Sequence, residues 1–203
     1  MADIALDALQ AGQARPDPVA RHTLPACLAD GPVAADVWID GSLGFALLIH
    51  RRGDGLVSEE LYYSVRNRNE DWLDCEHLGG AILGFDIEVP AAIKDVLAGV
   101  PVAVVSESEF LIYTGRSSAV EGYEPARVLT VLVGGTADLI EIEDLSPAPT
   151  ARGGRFSTDV RSPLMLLVLL PGQQLRVSAL RREGSSLITT GDAMELFFPE
   201  LRP

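Results

Sequence analysis

GFALLIHRRGDGLVSEELYYSV (residues 44–65) contains two strand-like stretches around a short polar turn. Gly44 to His50 is an apolar run, and Leu56 to Val65 is the returning stretch. Asp54-Gly55 lies between them and is typical of a hairpin turn, because glycine accepts a positive φ angle without steric cost. The segment therefore predicts an antiparallel β-hairpin.

Similar short strand-like segments continue along the rest of the chain. The predicted strands outside the first hairpin are Asp36–Asp40, Ile82–Val89, Gln174–Arg181, Ser186–Thr190 and Ala193–Phe198, with two further hairpins, Val100–Ser106 with Glu109–Thr114 and Arg127–Val133 with Ala137–Asp144. The count is about ten to twelve strands, and the crossover helices that a parallel sheet needs are missing. The sequence therefore predicts an all-β chain, either an antiparallel β-sandwich or a barrel-like fold.

The N-terminal 32 residues are predicted to form an extended arm outside the β-rich domain. Residues 2–10 have apolar side chains at helical spacing, which predicts a short helix. Prolines at positions 16, 18, 25 and 32 interrupt regular structure after it. We assign residues 1–32 to the arm and residues 33–203 to one β-rich domain. A domain division at the linker-like stretch 145–158 is the alternative.

Residues 163–171, PLMLLVLLP, form the most apolar segment of the chain. A strand over Leu164–Leu170 has large apolar side chains on both faces, so both faces should be buried. One face would pack on the core. We expect the other to be covered by the N-terminal arm, by a second subunit or by a short helix. That helix is predicted over Pro90–Gly99, because proline suits a first helical turn and glycine can end a helix.

The chain is acidic, with 29 Asp and Glu side chains, 16 Lys and Arg side chains and a net charge of −13. An acidic surface repels phosphate groups, so neither nucleic acid nor a membrane is predicted as a partner. The charge lies mainly in residues 1–149, which hold 24 acidic and 9 basic side chains. Residues 150–203 hold 5 acidic and 7 basic side chains, so the two parts could attract each other within one chain or between chains. The alternative is a solvated acidic surface that keeps the protein soluble.

Cys27 and Cys75 are the two cysteines of the chain. Two cysteines in 203 residues do not make the disulfide framework of a small secreted domain. The first residues lack the basic and apolar regions of a signal peptide, and the longest strongly apolar run is too short to span a bilayer. We therefore expect a cytoplasmic protein with reduced thiols.

The densest polar cluster is NRNEDWLDCEH, residues 67–77. Carboxylate, thiol and imidazole groups serve as metal ligands and as acid–base groups in proteins. We therefore take Asp74, Glu76 and His77 as candidate ligand-binding residues, with the site near Asp71–His77.

Zinc is the weaker alternative at this cluster. Cys75 and His77 would share one face of a strand, and His22 with Cys27 would complete a shell of two cysteines and two histidines. Neither pair has the tight spacing of zinc motifs such as C-x2-C. The sequence therefore predicts no metal and no cofactor.

No sequence motif identifies a reaction. The chain lacks a G-x-S-x-G nucleophile segment and the common glycine-rich phosphate loops. Exposed aromatic side chains can anchor a partner, and we expect one of Tyr62 and Tyr63 to be exposed because neighbours on a strand face opposite ways.

The sequence favours a non-enzymatic protein-binding or assembly module, acting by self-association or as the acidic partner of a basic protein. The alternative is an enzyme, or a small-ligand or metal-binding protein, with a site near Asp71–His77.

Overall fold

Twelve strands and two α-helices make up the part of the chain that the structure describes. The computed structural model describes residues 1–13, 28–116, 119–147, 154–160 and 162–200. Its helices are α1 (Ala2–Gln13) and α2 (Pro90–Leu97), with a 3-10 turn at Leu28–Asp30. Its strands, in chain order, are β1 (Val33–Asp40), β2 (Leu43–Arg51), β3 (Val57–Val65), β4 (Glu76–Ile82), β5 (Val102–Tyr113), β6 (Tyr123–Val133), β7 (Leu139–Asp144), β8 (Arg155–Asp159), β9 (Leu164–Leu169), β10 (Gln174–Glu183), β11 (Ser186–Thr189) and β12 (Met194–Phe197).

The strands form three antiparallel sheets. The first sheet has the order β1-β2-β3-β4, the middle sheet β5-β6-β9, and the third sheet β11-β10-β7-β8, with β12 also paired to β10. Strands account for 53% of the residues and helices for 12%, so strand residues exceed helix residues more than fourfold. The predicted all-β, sandwich-like fold with short helices is confirmed, and the described sheets do not close into a barrel.

Two apolar cores lie on opposite faces of the middle sheet. Between the first and middle sheets, Phe45 of β2 and Val168 of β9 belong to one buried cluster. Between the middle and third sheets, Leu167 of β9 belongs to a second cluster with Ile140 of β7 and Val177 of β10. Successive side chains of β9 therefore enter different cores, because side chains alternate along a strand.

Strand β9 is buried at every position, as its apolar sequence predicts. The second face of β9 was expected to be covered by the N-terminal arm, a second subunit or a short helix. This expectation was wrong, because the third sheet covers that face. A paired sheet presents a continuous apolar face to the whole strand, with Ile140 and Ile142 on β7. Helix α2 spans only eight residues, and its buried Leu97 packs into the other core, between the first and middle sheets.

Helix α1 packs on the outer face of the first sheet and is three residues longer than predicted. Ala5 and Leu9 of α1 form a small buried cluster with Tyr62 of β3 and Trp72. Tyr63 points into the core between the first and middle sheets, so both tyrosines are buried. The expectation of one exposed tyrosine was wrong, because α1 covers the face that carries Tyr62. Neither helix in the described ranges has the length and apolar character needed to cross a membrane.

The fourth strand begins earlier than predicted. The sequence suggests a strand over Ile82–Val89, whereas β4 spans Glu76–Ile82 and pairs with β3. Residues 83–89 form a turn segment held by Arg51, whose guanidinium donates hydrogen bonds to Asp86 and Glu88. The Arg51 hydrogen bond lowers the pKa of Glu88 below its ordinary value. Apolar side chains at 83 and 87 point into the core from this segment, which explains why it resembles a strand.

Two predicted hairpins are absent from the described fold. Residues 102–113 form one continuous strand, β5, with a bulge between Val104 and Ser106. The segment between 106 and 109 contains neither glycine nor proline, so nothing forces the chain to reverse there. Gly134-Gly135 follows β6 but leads the chain to another sheet, because β6 pairs with β5 and β9 while β7 pairs with β8 and β10.

The stretch 145–158, the alternative domain boundary, begins after β7 and includes the first four residues of β8. These two strands are neighbours in the third sheet, with Leu139 opposite Asp159. Both sides of the stretch therefore contribute to one sheet. Residues 148–153 of the stretch, like residues 14–27 of the arm, lie outside the described residues.

The first and middle sheets meet differently at their two sides. On one side the carboxylate of Asp36 on β1 accepts a hydrogen bond from the backbone N–H of Leu166 on β9, at 2.8 Å. A bulge in β1 between Ala34 and Asp36 turns this carboxylate toward the interior. On the opposite side the outermost strands are β4 and β5, which do not pair with each other. The sandwich is thus joined along β1 and β9 and open along β4 and β5.

Candidate functional site

The polar cluster at 67–77 folds into a turn that leads into β4. The side-chain oxygen of Asn67 accepts hydrogen bonds from the backbone N–H groups of Asn69 and Asp71, at 2.7 and 3.1 Å. Asp71 and Asp74 are exposed to solvent. At least one polar side chain of this segment, that of Asn67, therefore stabilises the backbone of its own turn through hydrogen bonds.

The three candidate ligand-binding residues do not converge on one point. Asp74 precedes β4, while Glu76 and His77 are consecutive residues of that strand. Glu76 stands opposite Tyr63 and His77 stands opposite Tyr62, so the two side chains face opposite sides of the sheet. Burial, with a hydrogen bond to Glu76, raises the pKa of Tyr63 to about 12.

His77 instead joins a small polar group on the outer face of the first sheet. Its Nε2 atom lies 2.7 Å from Oε2 of Glu60, and its ring lies 5.0 Å from the ring of Tyr62. The other oxygen of Glu60 lies 3.4 Å from Nε2 of His50. The structure therefore brings His77 to Glu60 and His50, two residues that the local sequence cluster does not contain.

Cys75 is half-buried beside Tyr62 and Trp72. Burial, with the nearby charge of Asp74, raises the pKa of this thiol to about 11. A protonated thiol is a poor nucleophile and must lose its proton to bind a metal. Within the described ranges, no group of three His, Cys, Asp or Glu side chains is arranged to hold a metal ion. His22 and Cys27, the other half of the zinc alternative, lie outside those ranges.

At pH 8 we expect native Cys75 to react with iodoacetamide about a hundredfold more slowly than in the unfolded chain, because raising the pKa from 9.0 to about 11 reduces the thiolate fraction by that factor. The thiol pKa is higher in the folded state, so the free energy of unfolding should also fall as pH rises from about 9 to about 11. Mass spectrometry of the Cys75 peptide measures the rate. Equal rates in native buffer and in urea would contradict the buried position.

The hairpin formed by β5 and β6 presents an exposed apolar surface near its tip. Its members, the hairpin-tip patch, are Leu111, Tyr113, Val120 and Tyr123, which are 71%, 44%, 79% and 48% exposed. The rings of Tyr113 and Tyr123 meet edge to face with centroids 5.3 Å apart. Such a group of exposed apolar side chains is typical of a protein-interaction site.

Acidic side chains lie beside the hairpin-tip patch. Glu109 is two residues before Leu111 on β5, and Glu121 lies in the turn between Val120 and Tyr123. Both glutamates are exposed, and neither forms an ion pair with a described residue. The patch therefore combines apolar contact area with two carboxylates that form no ion pair within the described residues.

A cavity of about 660 Å³ lies between α2 and the turn that follows β6. Its walls include apolar Ile93, Leu97 and Val133, and Lys94, the single lysine of the chain, also lines it. This volume is within the range of small-molecule sites. The lining suits an apolar molecule that carries an anionic group.

Comparison of the chain with protein-family models, with curated proteins and with solved structures finds no match. The fold and the surface therefore define the class of protein. They define an all-β fold of three stacked sheets, with an exposed apolar patch beside carboxylates that form no ion pair in the described part of the chain.

No sequence pattern groups Leu111, Tyr113, Val120 and Tyr123 as a candidate site. The signal that groups them is the strand register. Tyr113 stands opposite Tyr123, and Leu111 stands opposite Pro125, so these side chains share one face of the hairpin. This register depends on β6 being the partner of β5, which no local pattern indicates.

Proposed function

We propose that this chain is a non-enzymatic protein-binding module that takes a basic partner at the hairpin-tip patch. The observation that carries the proposal is the exposure of Leu111 and Val120 beside the edge-to-face pair of Tyr113 and Tyr123. Tyrosine contributes large contact area at low cost in conformational entropy, and it is enriched among the residues that dominate binding energy. A partner that buries this patch removes its apolar surface from water.

The charge of the chain supports a basic partner over a second copy of itself. Two chains of net charge −13 repel each other, and Glu109 and Glu121 would meet like charges across a symmetric contact. Arginine and lysine side chains around the partner's apolar anchor would pair with these carboxylates. The same charge opposes binding to nucleic acid.

The proposal includes a reducing compartment, the cytoplasm. Cys75 is a free thiol, and its raised pKa reflects burial rather than activation for disulfide chemistry. A half-buried protonated thiol is compatible with a compartment in which thiols stay reduced.

Site-specific photocrosslinking tests the proposal. A photoreactive amino acid at position 111 should capture basic proteins from a cell extract, and the captured protein is identified by mass spectrometry. Position 187, on β11 of the third sheet, is the matched control because Leu187 is also exposed, at 51%. The same proteins captured at both positions, or acidic proteins captured at position 111, would argue against the proposal.

Binding of the identified partner should depend on the patch. We expect Leu111→Asp and Tyr123→Ala each to weaken the Kd at least about tenfold, since truncating a dominant interface residue costs roughly 2 kcal/mol. Leu187→Asp should leave the Kd unchanged. Calorimetry with the purified partner at two salt concentrations measures the Kd and its dependence on salt. Binding that is insensitive to salt would contradict the role of Glu109 and Glu121.

A further inference from the structure

A second recess, which contains no residue of the hairpin-tip patch, lies at the open side of the sandwich. It is a slot of about 260 Å³ between β4 and β5, walled by Leu61, Val128 and Phe110. Gly79, Gly80 and Ala81 of β4 and the two serines Ser106 and Ser108 of β5 also line it. These small residues, on two strands that do not pair, leave the interior between the sheets accessible from solvent.

The slot contains a buried carboxylate, that of Glu59 on β3. Glu59 is only 6% exposed, because odd-numbered residues of β3 face the core between the first and middle sheets. Its Oε2 atom accepts a hydrogen bond of 2.7 Å from the hydroxyl of Thr130 on β6. Its Oε1 atom accepts no hydrogen bond from the residues that the structure describes.

The described residues supply no cationic partner for Glu59. None of their lysine, arginine or histidine side chains forms an ion pair with it, whereas its neighbour on β3, Glu60, lies 3.4 Å from His50 and 2.7 Å from His77. Burying a carboxylate without an opposite charge is unfavourable. A cation that enters the slot would supply this opposite charge.

We propose that the slot binds a primary alkylammonium group. An ammonium has three N–H donors, and the slot offers the Glu59 carboxylate and the hydroxyls of Ser106 and Ser108 as acceptors. The alkyl chain would contact Leu61 and Val128, and the Phe110 ring adds the aromatic face that cations favour.

The lining favours an organic cation over a metal ion. A divalent metal needs several carboxylate, histidine or thiolate ligands, and the described part of the chain holds no such group of three. The volume is slightly below the range of about 300–1,000 Å³ typical of drug-sized ligands, so the guest is a short chain. A free amine and a lysine side chain share this chemistry.

Isothermal titration with n-butylammonium chloride tests the slot in the full chain. We expect one site per chain, and n-butanol, which has the same alkyl group without the charge, should bind at least tenfold more weakly. Equal binding of the alcohol, or no binding of n-butylammonium by the wild-type protein, would overturn the proposal.

Glu59→Gln should weaken n-butylammonium binding at least tenfold while keeping the side-chain volume. Glu107→Gln is the matched control, because Glu107 lies between the two serines of the slot but its carboxylate pairs with Arg127 outside the slot, and binding should be unchanged. Unchanged binding by Glu59→Gln would overturn the proposal.

A second variant keeps the test valid if Glu59→Gln does not fold. Ser108 is exposed at the mouth, so Ser108→Leu leaves the buried carboxylate in place while narrowing the entrance, and it should also weaken binding at least tenfold. Unchanged binding by this variant would place the amine elsewhere. Titration with Nα-acetyl-lysine methylamide then distinguishes a lysine side chain of a protein from a free amine as the source of the ammonium group. Binding comparable to n-butylammonium supports a protein lysine, and weaker binding supports a free amine.

Discussion

Val168→Asp is expected to yield insoluble protein. Val168 lies on β9, is 1% exposed and belongs to the apolar core between the first and middle sheets. An aspartate there would bury a charge among aliphatic side chains, which costs several kcal/mol. That is a large share of the total stability of a domain, about 5–15 kcal/mol. The soluble fraction after expression measures the effect.

The neighbouring residue tests the opposite face of the same strand. Leu167→Asp should be as damaging as Val168→Asp, because the third sheet covers Leu167. Val168→Ala should stay soluble and lose about 1–3 kcal/mol of unfolding free energy in urea, since it removes apolar contacts without adding a charge. Leu187→Asp is the exposed control and should be neutral. A soluble, folded Leu167→Asp protein would mean that the third sheet does not cover β9.

Asp36→Ala should lower the free energy of unfolding by about 2–4 kcal/mol. The Asp36 side chain is 3% exposed, and its carboxylate accepts the N–H of Leu166 from the edge of the middle sheet. Hydrogen bonds to charged groups contribute about 1.5–3 kcal/mol, and a buried N–H left without an acceptor adds a further penalty. Urea denaturation followed by circular dichroism measures the loss.

Two further variants are expected to lose less unfolding free energy than Asp36→Ala. Asp36→Asn keeps an oxygen that can accept the Leu166 N–H, so it should lose less than Asp36→Ala. Asp138→Ala removes a carboxylate that accepts the N–H of Arg182 in an exposed position, at 2.7 Å, and should lose less than 1 kcal/mol. Equal losses in unfolding free energy for Asp36→Ala and Asp138→Ala would show that the buried contact between β1 and β9 contributes no more to stability than an exposed hydrogen bond.

Local chemistry explains which elements the sequence predicts well. The hairpin around Asp54-Gly55 needs only a turn residue between two apolar stretches, and it forms β2 and β3 as expected. Helix α2 begins at Pro90, and the left-handed Ala98 and Gly99 follow its last residue. In both cases the signals lie within a few residues of the element.

Pairing between distant strands explains the errors. Gly134-Gly135 has the chemistry of a hairpin turn, but whether it links strands of one sheet or of two depends on where β9 and β10 lie. Likewise, the apolar sequence of β9 requires two covered faces without indicating which part of the chain supplies the second. The covering sheet is built from β7 and β8, which precede β9 in the chain, and from β10, β11 and β12, which follow it.

Pairing between distant strands also determines which residues come together in the candidate sites. The cluster at 67–77 is conspicuous as a sequence, yet β4 sends Glu76 and His77 to opposite faces. The apolar side chains of the hairpin-tip patch are spread over residues 111–123 and gather only through the register of β5 and β6. Glu59 is the middle one of three consecutive polar residues in β3, and only the hydrogen bond from Thr130 reveals that its carboxyl group is interior.

Hydrogen–deuterium exchange of the complex with the crosslinked partner tests the central claim, that the β5–β6 hairpin tip is the docking surface. We predict slower exchange on partner binding at amides of residues 108–125, and unchanged exchange in β10 and β11 of the third sheet. Protection confined to the third sheet or to α2, with residues 108–125 exchanging as in the free protein, would contradict the account.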